Sequence, residues 1–229
     1  MTKLSDYSIH YRDMRPEGVR RASESMERRI EQFRHKLDVE LILPRVKGPD
    51  VLDFPIGTGR FYPELLGKFN VHGYDISEPY IKRAQANNPH IADQFAVCSF
   101  EDINRERAFD TVVTLRTLNN IQDIRIAIRN VSSILKPGGR WIFNYPSTGQ
   151  VFANLDCILF QSGLEVVEQL TYDFVANIRN VSRPTYAIYS RFLALIEKGW
   201  VPYTGYRAAE WLLHSRGTNL FVCDKSLSR

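Results

Sequence analysis

The residues best placed to do chemistry form one short run. Asp53-Phe54-Pro55-Ile56-Gly57-Thr58-Gly59 follows the apolar pair Val51-Leu52 and leads into a helical pattern. Two glycines one residue apart, after a strand and before a helix, let the backbone approach a ligand closely, because neither carries a side chain. A dinucleotide site asks for a third glycine three residues further on, and that position is Tyr62. Asp53, just ahead of the turn, is poor company for a pyrophosphate. A phosphate-free, cationic cofactor suits this pairing of an acid with a glycine turn far better. A second carboxylate, Asp75, falls 22 residues after Asp53.

Other chemistries find no support in spacing. His10, His35, His72, His90 and His214 show no metal-ligand pattern, so no metal is expected. No nucleophile elbow accompanies a Ser-His-Asp order. Cys98, Cys157 and Cys223 are odd in number and far apart, which argues against a disulfide framework and for a reducing cytoplasm. No stretch approaches the roughly 18 apolar residues of a membrane span, and the first residues have no apolar core of the signal-peptide kind. Membrane insertion is therefore not expected.

The elements that must hold these residues alternate. Strands are expected at 51–54, 71–75, 94–98, 109–115, 140–144, 164–170 and 219–224. Helices are expected at 61–68, 79–87, 121–135 and 151–163. This alternation predicts an α/β fold, a doubly wound, mostly parallel seven-stranded sheet with helices on both faces, whose ligands bind at the strands' carboxyl ends. Ahead of it, residues 16–43 read as one long helix opened by Pro16, with Met26, Ile30, Phe33, Leu37 and Leu41 on its apolar stripe. The roughly 45 residues between the last two strands exceed a simple loop. Helical spacing over 184–198 and 206–215 makes them a helical insertion. The expected division is an N-terminal helical cap over 1–46, an α/β domain over 47–171 and 218–229, and an acceptor-binding lid over 172–217.

Taken in order, these segments resemble the class I, Rossmann-like S-adenosylmethionine-dependent methyltransferases. Val51 to Gly59 is similar to that family's first motif, with Pro55 in the place of its first glycine. The resemblance implies S-adenosylmethionine as cofactor and S-adenosylhomocysteine as product. It implies cofactor contacts from Asp53, Pro55, Gly57, Thr58 and Gly59, and ribose hydroxyls on Asp75, with Ile76 and Ser77 beside it. Ser99-Phe100-Glu101 resembles the segment that flanks the adenine. Phe109-Asp110-Thr111-Val112-Val113, continuing to Leu115 and to Leu118-Asn119-Asn120-Ile121, resembles the fourth-strand motif. Lys136-Pro137-Gly138-Gly139 is similar to the family's turn before the fifth strand.

The acceptor has to be read from what surrounds this frame. Arg116, at the end of the fourth strand, is a candidate acceptor contact. Tyr145, Arg183 and Tyr186 are further candidates, and Asn120, Tyr11 and Tyr145 are candidates for handling an acceptor proton. Of the net charge of +4, the excess sits in residues 171–229, where eight Lys and Arg stand against four Asp and Glu. A small polar acceptor, sugar-like or anionic and methylated on oxygen, is the expectation. Nucleic acid is not: the place of an adenine-methylating motif reads Thr114-Leu115-Arg116-Thr117, and no Pro-Cys nucleophile for cytosine occurs. A nucleic-acid or protein methyltransferase and a degenerate cofactor-binding scaffold are the alternatives.

Overall fold

The computed structural model describes residues 12, 14–59, 61–65, 67–104, 107–121, 123–146, 153–172, 183–213 and 218–227. Seven strands form one sheet: β1 Asp50–Asp53, β2 Asn70–Asp75, β3 Phe95–Val97, β4 Phe109–Thr114, β5 Leu135–Pro146, β6 Leu164–Tyr172 and β7 Thr218–Lys225. Their spatial order is β3-β2-β1-β4-β5-β7-β6. The pairs from β3 through to β5 are parallel, and β7 alone runs antiparallel, between β5 and β6. The order reverses between β1 and β4, so the loops that leave their carboxyl ends diverge and leave a crevice. Methyltransferase-like sequence order and this Rossmann-like architecture agree.

Among the described residues the helices are α1 Pro16–Met26, α2 Arg29–Ile42, α3 Tyr62–Leu65, α4 Glu78–Asn87, α5 Ile124–Ile134, α6 Leu155–Gln161, α7 Arg183–Glu197 and α8 Tyr203–Leu213. The central strands are apolar at successive positions, as a sheet covered on both faces requires. One face packs Leu52, Val112, Trp141, Phe143 and Phe221 against Ile128 and Val131 of α5 and Leu155 and Leu159 of α6. The other packs Val51, Val113, Ile142 and Val222 against Leu37 and Ile42 of α2, Ile81 of α4, Ile196 of α7 and Tyr206 of α8. The N-terminal helices and the inserted ones thus share a face of the sheet.

Two expectations are corrected. The helix expected over 16–43 is two helices, because Arg28 adopts an extended conformation (φ −62°, ψ 137°). The orphan amides of Arg29 and Ile30 that this break exposes donate to the Glu197 carboxylate of α7, at 3.2 and 3.4 Å. A cap supplied from 168 residues away leaves no local signal. Second, β5 begins at Leu135 rather than Arg140, since Leu135 already pairs with Phe109 before a register shift in the ladder. The start of that strand is anchored by Lys225, whose Nζ donates to the carbonyls of Ser132 and Leu135 at 2.6 and 2.8 Å, satisfying groups at the end of α5.

Candidate active site

The crevice at the switch point is a cavity of about 250 Å³. Its walls come from the loop after β1, the ends of β2 and β3, and the segment after β4. Phe54, Pro55 and Gly57 form one wall; Asp75, Ile76, Tyr80, Cys98, Ser99, Phe100 and Glu101 form the second. Leu115, Arg116, Thr117, Asn120 and Ile121 form the third.

The loop after β1 holds its shape through a buried anchor. Ile56 is 4% exposed, and its N–H donates to the Tyr74 carbonyl at 2.8 Å. Gly73 on β2 makes room for it: a Cβ there would lie 2.1 Å from Ile56 Cδ1. This is how the loop accommodates Pro55, whose peptide bond with Phe54 is cis. Gly57 then turns with φ +56°, and a Cβ on it would meet nothing within 4 Å. Its open side is cradle space that any side chain would fill. Gly59 (φ +80°) is buried against Ala84 of α4 and Asn88 just past its end, and is not part of the cavity wall.

Asp75 is the electrostatic centre of the cavity. It is 3% exposed, yet its Oδ2 accepts from Gly57 N and its Oδ1 from Ser77 N, both at 2.9 Å. Burial pushes its carboxyl up to about 6, and the N–H groups of Ser77, Gly57 and Ile76 pull against that rise without cancelling it. Ser77 is fully buried; it orients Asp75 and caps α4 by accepting from Tyr80 N at 3.5 Å. The neighbouring wall is fixed from α5, where the Asn130 side-chain amide donates to the Phe100 carbonyl at 2.8 Å and the Glu101 carbonyl at 3.3 Å. Phe100 stacks on Phe54 with ring centroids 3.9 Å apart, making a flat apolar surface beside the buried acid.

The third wall is held from elements distant in sequence. Arg116 lines the cavity with an unusual φ of +56°. Its backbone N–H donates to Asn144 Oδ1 at 2.6 Å, and Asn144 Nδ2 donates to the Tyr172 hydroxyl at 3.0 Å. Its guanidinium pairs with Asp38 of α2, an Nη2 to Oδ2 distance of 2.8 Å, and Asp38 has no exposed surface at all. The sequence gives no hint of Asp38, which reads as one polar position on an amphipathic helix.

Among the expected cofactor residues, Pro55, Gly57, Asp75, Ile76, Ser99, Phe100, Glu101 and Leu115 line the cavity, while Asp53, Thr58, Gly59 and Ser77 are not among its lining residues. Asn120 and Arg116 face it as expected. Tyr145 does not: it is 8% exposed and packed in the core with Leu155 and Phe143, where burial raises its phenol. A hydroxyl so placed is a poor proton acceptor for a ligand in the cavity. Tyr186 is 48% exposed on α7, away from these walls. Tyr11 and the side chain of Arg183 lie outside the described residues. Phe54, Tyr80, Cys98, Thr117 and Ile121 line the cavity unforeseen, and only their nearness to the motifs could have suggested them. Among the described residues no group of three His, Cys, Asp or Glu could hold a metal ion, and no helix is long and apolar enough to cross a membrane.

A seven-stranded sheet in this order, with a crevice at its switch point, is the Rossmann-like fold of one-carbon transferases. The methyltransferase-domain family pattern matches residues 22–220, and the chain belongs to that family. It is an S-adenosylmethionine-dependent methyltransferase. No curated protein sequence matches it significantly. Solved structures share its fold at low identity. The [4+2]-cyclase SpnF is 18% identical with a TM-score of 0.59, over 86% of this chain and 83% of its own. A putative methyltransferase of Haloferax volcanii, solved with the Trm112 methyltransferase activator, is 18% identical with a TM-score of 0.61, over 98% and 100%. Phosphoethanolamine N-methyltransferase 2 of Haemonchus contortus, in complex with S-adenosyl-L-methionine, is 15% identical with a TM-score of 0.63, over 96% of this chain and 60% of its own.

Proposed function

We propose that the protein transfers a methyl group from S-adenosylmethionine to an oxygen of a small, polar acceptor of the sugar-like or anionic kind. The observation that carries this reading is the pairing across one cavity of the Asp75 carboxylate with the open side of Gly57. Asp75 would accept the two ribose hydroxyls, since ionised it has lone pairs beyond those engaged by Gly57 and Ser77. Phe54 and Phe100 offer the adenine a flat apolar surface, with Ser99 and Glu101 at its polar edge. The sulfonium makes the methyl group strongly electrophilic, so the protein has chiefly to position the acceptor and exclude water. Arg116, Thr117 and Asn120 form the wall left for the acceptor, and Asn120 is the candidate to orient an attacking hydroxyl.

In this reading residues 1–46 and 172–217 act together as cap and lid over the α/β domain of 47–171 and 218–229, in keeping with the face that α2, α7 and α8 share. The protein would work in a reducing, cytoplasmic setting with Cys98, Cys157 and Cys223 as free thiols. A second reading, action within a protein complex, is favoured by one observation, the match over both whole lengths to the Haloferax volcanii methyltransferase solved with its activator. Incubation with labelled S-adenosylmethionine and a panel of sugars, sugar phosphates, carboxylates and unmodified proteins tests the first, and size-exclusion chromatography of the protein purified from its source tests the second. Label on a small hydroxylated compound supports the first, and label on protein alone overturns it.

A further inference from the structure

The charges around the acceptor wall do not sum as the sequence suggested. Arg116 is the one base among the described residues lining the cavity, and Asp75 and Glu101 line it as acids. Behind Arg116, the Asp38 carboxylate lies against one guanidinium nitrogen, with Oδ1 at 3.1 Å and Oδ2 at 2.8 Å. Asp38 is completely buried and Arg116 keeps 26% of its side-chain surface, so the pair sits where water screens it little. An anion in the cavity therefore meets a dipole whose positive end is offset at close range, not an isolated cation. The arginines of the inserted helices differ in this respect. Arg207 on α8 is engaged by Glu40 at 3.3 Å, and Arg191 on α7 is exposed.

We propose that Asp38 is a specificity-determining residue: it cancels the charge of Arg116 at the cavity wall, so that the site takes an uncharged polar acceptor and turns away its phosphate- or carboxylate-bearing analogues. This rests on the methyl-transfer reading above and narrows it to one half of its acceptor class. Arg116 remains a hydrogen-bond donor to a neutral oxygen, held in place at its backbone by Asn144 and at its side chain by Asp38. Specificity of this kind works against the wrong partner rather than for the right one.

The test uses inorganic phosphate as probe, titrated by calorimetry into the full chain saturated with S-adenosylhomocysteine at constant ionic strength. The wild type is expected to show no saturable phosphate binding at low-millimolar concentration. Asp38→Asn, which removes the buried Asp38 counter-charge from Arg116, is expected to gain it, tightening phosphate by roughly tenfold or more. The double variant Asp38→Asn, Arg116→Gln should lose it again. General damage to the fold weakens binding; it does not create a new anion site that depends on Arg116. Phosphate binding by the wild type, or no gain in Asp38→Asn, overturns the proposal. Should Asp38→Asn fail to fold, the wild type decides alone, through methyl transfer to matched pairs of a polar compound and its phosphorylated form. A preference for the phosphorylated member overturns the inference, and a preference for the neutral one supports it. Failure of S-adenosylhomocysteine to bind in the first step strikes the cofactor reading instead, so the two failures are distinguishable.

Discussion

Asp75 carries a cost to stability that its function explains, and replacing it with asparagine makes that cost measurable. The folded chain holds its carboxyl up at about 6, against 3.8 for an exposed aspartate, chiefly because burial penalises the anion. The folded state therefore binds the proton more tightly than the unfolded one. Stability from this group is present in full below about pH 3.8 and is lost as pH rises through about 6. That separation corresponds to about 3 kcal/mol, to the nearest kcal/mol or so. Asp75→Asn resembles the neutral acid in shape and does not titrate. The difference in unfolding free energy, wild type minus Asp75→Asn, should fall by about 2 kcal/mol between pH 4 and 7. Urea denaturation of both proteins across that range, without cofactor, gives the difference while cancelling the titration of every other group. A difference that stays flat with pH refutes the reasoning, because the burial that defines the site would then impose no charge penalty. Ligand reverses the sign: hydroxyls donating to the ionised carboxylate lower its affinity for the proton, so cofactor affinity should weaken as pH falls below about 6.

Other perturbations separate ligand binding from folding. Gly57→Val puts a branched side chain into the open cradle at φ +56°; it should abolish S-adenosylhomocysteine binding in calorimetry while costing about 1–2 kcal/mol of stability from backbone strain. Lys225→Ala orphans the carbonyls of Ser132 and Leu135 at the opposite end of the sheet. It should cost about 2 kcal/mol in urea unfolding and leave cofactor affinity within about twofold. Asn144→Ala removes the acceptor of the Arg116 N–H and a donor to the Tyr172 hydroxyl, for a loss of about 1–3 kcal/mol by the same measurement.

The order of strands, the glycine turn and Asp75 could be read from residue order because each follows from local pattern. Short apolar runs mark the strands, and the places of the acid and the glycines at strand ends follow from them. Three things escaped for a common reason. The break at Arg28 depends on Glu197, the setting of Arg116 depends on Asp38 and Asn144, and the seating of Pro55-Ile56 depends on the missing side chain of Gly73. Each is a contact between residues distant in sequence, where no periodicity operates. Tyr145 is a different case. It follows the fifth strand, but that strand continues to Pro146, so its side chain enters the core rather than the mouth.

The central claim, that Asp75 and the Gly57 turn form the cofactor site, is tested most directly by equilibrium binding of S-adenosylmethionine to the wild type and to Asp75→Ala. The account predicts binding at one site in the wild type and a loss of about 1.5–3 kcal/mol in a folded Asp75→Ala variant, the range for charge-assisted hydrogen bonds to the ribose. Equal dissociation constants for the two proteins would contradict it.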